Sequence, residues 1–204
     1  MMYNKAMKKL PLLVLLTVIF VFTVMGLPEQ HTQTFTWDLQ LLRENEAIPE
    51  FQTILLDTKQ SLHLIITPVS DSYCYILIQN SERRIFLLYD QLINGGKDLY
   101  IDLLETDNTP GNKTLYIIMS KTKQTRLEDL IISFKDNPAS QRYASNLHGE
   151  IARLQDRVSG LGEPSSIIIP TGGTTRGTTQ MYMTRFSEKD LYVRAISIRI
   201  ASTQ

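Results

Sequence analysis

The chain predicts a mainly β (α+β) fold: an antiparallel β-sandwich with two helices packed on one side. Two observations carry that expectation. Between Ser61 and Met119, short alternating or aromatic-aliphatic runs recur at roughly ten-residue spacing, separated by turn-forming residues. Between Thr125 and Gly160 the apolar repeat lengthens to three or four residues, as on an amphipathic helix.

Taken in order, residues 1–26 stand apart from the fold. Lys5, Lys8 and Lys9 precede an apolar run from Leu10 to Met25, and polar residues resume at Pro28. That layout predicts a secretory signal peptide cut after Gly26, or an uncleaved N-terminal membrane anchor running through residues 10–26. The run is shorter than the ~20 residues that cross a bilayer as a helix. Residues 27–50 read as a polar lead-in, in which Thr34 to Leu39 alternates as a first strand or forms a spacer. Residues 51–204 then form a single β-sandwich domain with a helical segment at 125–160.

Within that domain, Leu62, Leu64 and Ile66 share one strand face, and Tyr73 to Gln79 (YCYILIQ) follows the Asp71-Ser72 turn. Asn80-Ser81-Glu82 turns into Arg84 to Tyr89, and Asn94-Gly95-Gly96 turns again. Leu99, Ile101 and Leu103 point inward against Asp98, Tyr100 and Asp102, and a Pro110-Gly111 turn leads into Leu115 to Met119. Thr125-Arg126-Leu127-Glu128 has the form of a capping box opening a helix from Leu127 to Phe134. Asn137-Pro138 ends that helix and opens a second, Ala139 to Val158, with Asn137 as cap and Pro138 as first helical residue. Its apolar stripe is Tyr143, Leu147, Ile151, Leu154 and Val158; its solvated face carries Arg142, Asn146, Glu150, Arg153 and Arg157. Ser166 to Ile169 reads as a short buried strand, and Met181 to Phe186 with Asp190 to Ile200 as a closing hairpin turning at Ser187-Glu188-Lys189.

Charge narrows the function. The 21 basic and 21 acidic residues balance, and removal of three leader lysines leaves 18 against 21, a formal charge of −3. A nucleic-acid binder would need a concentrated basic face. One cysteine, Cys74, excludes an internal disulfide and reads as a small buried hydrophobe. His31, His63 and His148 lack the short fixed spacing of metal ligands, so neither a metal nor another cofactor is expected.

The most chemical stretch is GGTTRGTT at residues 172–179. Gly172, Gly173, Thr175 and Arg176 could hold a carboxylate, sulfate or sugar. The stretch lacks the Walker lysine, and the residues behind it favour a strand over a helix, so a plain hairpin connection is the simpler reading. Asp98 and Asp102 share a predicted face, but solvated strand acids commonly do. Tyr73, Tyr75, Tyr89, Tyr100 and Tyr116 suit either partner contacts or capping of the core.

The segment from about Phe51 to Phe134 resembles the bacterial domain-of-unknown-function family 4384. The likeness lies in Asp71 before Tyr73-Cys74-Tyr75-Ile76-Leu77, then Ile85 to Tyr89, Pro110-Gly111 and Leu115 to Ser120. The Arg176-Gly177 loop and Lys189 to Arg194 are similar to tails on such proteins. The chain departs from the family at Ser81-Glu82-Arg83-Arg84, where a glycine is usual, and at Asp90-Gln91, where Pro-Asn is usual. The resemblance implies a β-rich accessory module of exported or anchored proteins without an established catalytic site. The expected function is therefore an extracytoplasmic cell-envelope binding module, not an enzyme, with an envelope protein or glycan as partner and membrane contact only through residues 10–26. The alternatives are a polysaccharide-acting envelope enzyme using Asp98, Asp102 and Arg176, and a structural subunit that pairs by edge strands.

Overall fold

Alternating apolar side chains drive this chain into two stacked sheets. The structure, a computed structural model, describes residues 34–49, 52–104, 109–159, 165–170 and 182–201. In chain order the elements are β1 (Phe35–Arg43), β2 (Glu46–Ile48), β3 (Ile54–Asp57), β4 (Leu62–Pro68), β5 (Ser72–Gln79), β6 (Ile85–Ile93), β7 (Leu99–Asp102) and β8 (Gly111–Ser120). They continue with α1 (Thr125–Asp136), α2 (Gln141–Ser159), β9 (Ser165–Pro170), β10 (Tyr182–Glu188) and β11 (Leu191–Ala201). One sheet has the order β7-β4-β1-β10-β9, with β2 paired to the end of β1; the other has the order β3-β11-β8-β5-β6. Neighbours are antiparallel except β3 and β11, which run parallel.

The interior between the sheets is built from every second residue. Phe35, Trp37, Leu39 and Leu41 of β1 and Leu62, Leu64 and Ile66 of β4 face Cys74, Ile76 and Ile78 of β5, Leu115, Ile117 and Met119 of β8, and Ile196 and Ile198 of β11. Each such side chain contributes about 1.5–3 kcal/mol by leaving water. The compact unit begins at Thr34, so residues 34–48 are not a lead-in: β1 is a central strand, paired with both β4 and β10. The acids and amides that gave the segment its polar look lie on the outer face or in turns. Among them Asp38 is covered by Arg185, whose Nε and Nη2 donate to its carboxylate at 2.6 and 2.7 Å.

The second sheet is covered on both faces, which explains why β5 reads as a continuous apolar run. Tyr75 and Leu77 of β5, Ile118 of β8 and Leu191 of β11 turn away from the sandwich and meet Leu127, Ile131 and Phe134 of α1 and Leu147, Ile151 and Leu154 of α2. The expected sandwich with helices on one side is the observed architecture.

Several local expectations are corrected. Thr125 is the first helical residue and Gln124 the N-cap, with no side-chain capping bond. The capping box does not close because Glu128 is engaged elsewhere: its Oε1 accepts from the Tyr75 hydroxyl at 2.9 Å and its Oε2 pairs with Lys123 Nζ at 2.5 Å. The Tyr75 oxygen also accepts the Gln124 N–H at 3.2 Å, so a sheet side chain satisfies the helix start. Asn137 does close α1, but it does not open α2, which begins at Gln141 after a turn closed by Ser140 N–H donating to the Asn137 carbonyl at 3.1 Å. Glu150 is buried, not solvated. Arg153 donates to it through Nε at 2.9 Å and Nη2 at 2.5 Å, and Arg126 Nε lies 3.0 Å away.

Nor do β10 and β11 form a hairpin. They belong to different sheets, and the chain crosses between them at Lys189-Asp190, where the Asp190 carbonyl accepts from Lys121 N at 3.1 Å and Ser120 Oγ at 3.2 Å. Crossing lets Phe186 and Tyr192 both reach the interior, with ring centroids 5.2 Å apart. Finally, β9 is an edge strand, with Ile167 and Ile168 exposed at 66% and 62%, not a buried one.

Two measurements check this layering. Trp37→Ala should cost about 3–5 kcal/mol in denaturant unfolding, whereas Ile167→Lys should stay within about 0.5 kcal/mol of the parent; similar losses would contradict the assignment of interior and edge. Tyr75→Phe, which removes the hydroxyl and leaves Gln124 N–H without its acceptor, should cost about 1–3 kcal/mol; no loss would mean that the hydroxyl does not hold the helix start.

Candidate functional site

The site is built at the open edge of the second sheet, where β6 passes beneath the joint between the two helices. The turn from β5 to β6 is held by one side chain. Asn80 Oδ1 accepts from the backbone N–H groups of Glu82 and Arg84, both at 3.0 Å, and the Asn80 carbonyl accepts from Arg83 N–H at 3.0 Å. This asparagine-centred turn places Arg83 in the left-handed region at φ 63° and projects Glu82, Arg83 and Arg84 into solvent.

Opposite this turn stand the last turn of α1, the Asn137-to-Ser140 connection and the first turns of α2. Between them lies an open groove of about 1360 Å³. Its apolar lining includes Ile85, Phe86, Leu87, Phe134 and Ala144, and polar groups come from Gln79, Ser140, Gln141, Ser145 and His148. Three cations, Arg83, Arg84 and Lys135, stand on its walls against the single carboxylate of Glu82. Only part of that charge is neutralised. Arg84 Nε lies 3.1 Å from Glu82 in a pair of exposed side chains, and Lys135 Nζ lies 2.7 Å from Asp90. The Arg84–Glu82 pair, between exposed side chains, contributes at most ~1 kcal/mol and is readily exchanged for another anion. Arg83 forms no ion pair among the described residues. The first turn of α2 carries no acidic residue, so its own side chains do not offset the positive end of the helix.

His148 sits in the wall of the groove, with its Nε2 shut off from solvent and without a hydrogen-bond partner. Burial pushes its pKa below the ordinary histidine value, the nearby Arg83 backbone works against this, and the Arg83 charge adds to the lowering. The imidazole is therefore held neutral at pH 7.

The residues singled out from the sequence are not brought together here. Gly172, Gly173, Thr175 and Arg176 lie outside the described residues, as do the N-terminal segment and His31. The strands that flank the 172–179 stretch pair with each other, Pro170 opposite Tyr182. Asp98 accepts from Thr67 Oγ1 at 2.6 Å, and Asp102 accepts from Leu104 N–H at 3.0 Å; each carboxylate is occupied in local structure. His63 is a sheet residue stacked on Tyr100 with centroids 5.0 Å apart. Of the five tyrosines, Tyr75 is fully buried, Tyr100 is exposed on the other sheet, and Tyr73, Tyr89 and Tyr116 are half-buried. Cys74 is fully buried, and burial raises its thiol far above the ordinary range. Among the described residues no cluster of histidine, cysteine and carboxylates could hold a metal, and no helix is long and apolar enough to cross a membrane. The signal overlooked in the sequence was the Arg83-Arg84 pair immediately before an apolar strand. No family model, curated protein or solved structure matches the chain.

The lowered pKa of His148 has a consequence for stability. Above about pH 6.5 the residue is neutral in both folded and unfolded chains, and below it the unfolded chain takes up the proton first. Stability should therefore fall as pH drops from 7 to 5, and His148→Asn should make that fall shallower. Unfolding midpoints measured across this range check the point, and identical slopes would contradict it.

Proposed function

We propose that this protein is a non-catalytic binding module of the bacterial cell envelope, and that the groove between β6 and the helix joint is its binding surface. The observation that carries the reading is the composition of the groove: an apolar floor under three cations. Such a surface holds a partner by burial and charge. The signal-like layout of residues 1–26 supports export, and the resemblance to the domain-of-unknown-function family 4384 supports an accessory role in the envelope. The reading as a polysaccharide-acting enzyme draws no support from Asp98 and Asp102, since each carboxylate is already taken up by a backbone or hydroxyl donor.

Fractionation of cells producing the full chain tests the location, and co-sedimentation of the purified chain with washed envelopes tests the surface. The chain should be recovered outside the cytoplasm. Its envelope binding should weaken about tenfold in an Arg83→Glu/Arg84→Glu variant, the effect of reversing two rim charges. A cytosolic pool, or binding indifferent to the charge reversal, would overturn the reading.

A further inference from the structure

We infer that the groove receives an acidic, extended segment of a partner protein, laid along the open edge of β6 over Ile85 to Leu87. This inference rests on the binding-module reading above and adds the chemistry of the occupant. Three independent features converge on it.

The first is the backbone. β6 ends its sheet and pairs only with β5, so along its other side the N–H and C=O groups have no strand partner among the described residues. The register shifts between Ile76, opposite Tyr89, and Leu77, opposite Leu87, so that Leu88 is an inserted bulge residue. A bulge interrupts the regular ladder that an added strand would continue. The pairable edge is therefore confined to the residues before Leu88, the same residues that line the groove.

The second is the floor. Alternate side chains of an added strand point to the same side of the sheet. Those on the helix side would meet Leu87, Phe134 and Ala144, which already form the apolar lining.

The third is charge. Arg83, Arg84 and Lys135 stand around the start of that edge, and the only carboxylate in the lining is Glu82. An acidic segment would draw Arg84 from its exposed pair with Glu82 and engage the unpaired Arg83. A second copy laid parallel would set the same arginine pair beside this one and be repelled, whereas an acidic strand is admitted. Edge addition with pockets for alternate side chains is an established way to read an extended peptide.

The experiment uses the purified chain and a fluorescein-labelled peptide of alternating glutamate and valine, followed by polarisation. Its lysine–valine counterpart, polyglutamate and vesicles of anionic phospholipid serve as competitors. The glutamate–valine peptide should bind, weaken about tenfold in the Arg83→Glu/Arg84→Glu variant, and slow amide exchange across Ile85 to Leu87. The lysine–valine peptide should not compete, and polyglutamate should compete more weakly because it lacks the apolar side chains. Both arginines are exposed, so the variant should unfold at the parent temperature, and that measurement accompanies the assay. Equal competition by either peptide sign, peptide binding without protection of Ile85 to Leu87, or displacement by lipid vesicles at lower concentration than by peptide would each overturn the inference. Should the variant lose envelope binding while the parent ignores the peptide, the groove remains the binding surface and only its occupant has been misjudged.

Discussion

The packing of Trp37 is the constraint from which the remaining architecture follows. Its indole lies between Phe35 and Phe186, at centroid separations of 4.7 and 5.6 Å, and meets Tyr192 of the opposite sheet at 4.7 Å in a tilted arrangement. Phe35 and Phe186 belong to the indole's own sheet and Tyr192 to the facing one, so a single aromatic cluster sets both the lateral fit of β1 with β10 and the contact between layers. The cluster is apolar enough to leave the indole N–H without a hydrogen-bond partner. That desolvation costs about 1–3 kcal/mol and is offset by the burial of four large rings, each carrying a large apolar area. Such geometry requires the chain to leave one sheet after Phe186 and enter the other before Tyr192. The crossover at Lys189-Asp190 is thus a condition of the core.

From that crossover the dependence runs outward. The Asp190 carbonyl is held by Lys121 N–H and Ser120 Oγ at the end of β8, which is where the chain departs for the helices. The helices then land on a sheet whose outer face is already apolar, and Tyr75 fixes their start. Its ring is buried among the helix side chains while its hydroxyl accepts from Gln124 and donates to Glu128. Burial raises the Tyr75 pKa far above the usual phenol value, and the carboxylate of Glu128 pushes the same way, so the hydroxyl keeps its proton and its donor role throughout the physiological range. The buried Glu150, gripped by Arg126 and Arg153, then ties α2 back to α1. The groove is what remains where the helix joint, so placed, overhangs the edge of the sheet.

How much of this was legible depends on whether the determining contacts were local. Aromatic-aliphatic runs bounded by turn residues announced β5 and β8, and alternation announced β4 and β7, because a period of two is a property of the strand itself. The stripe at Leu147, Ile151 and Leu154 announced α2 for the same reason. Pairing partners were not legible: the pattern MYMTRF followed by DLYVRAISIRI is the same whether two strands form a hairpin or lie in facing sheets. The capping box failed because Glu128 answered a tyrosine some fifty residues upstream, 53 by the hydrogen bond observed. Glu150 sat on the polar face of its helix by periodicity, yet a cross-helix arginine covers it. The candidate groove was the least legible feature, since it joins residues 79–87 to residues 134–148 and no motif spans the two.

The sheet edges show why the groove lies where it does. Of the four terminal strands, β3 and β7 are four residues long, too short to template much pairing, and β7 ends on an aspartate. β6 is nine residues long and would be an exposed hydrophobic template over its whole length. The bulge at Leu88 turns both Leu88 and Tyr89 towards the inter-sheet core and returns Asp90 to the helix side, where Lys135 meets it at 2.7 Å. The far half of the strand is thereby closed by a register fault and an ion pair. The near half has neither device; it is bordered by two arginines and overhung by the helix joint. Beneath that overhang charge guards this portion, and a charged guard discriminates by sign where a bulge excludes every strand alike.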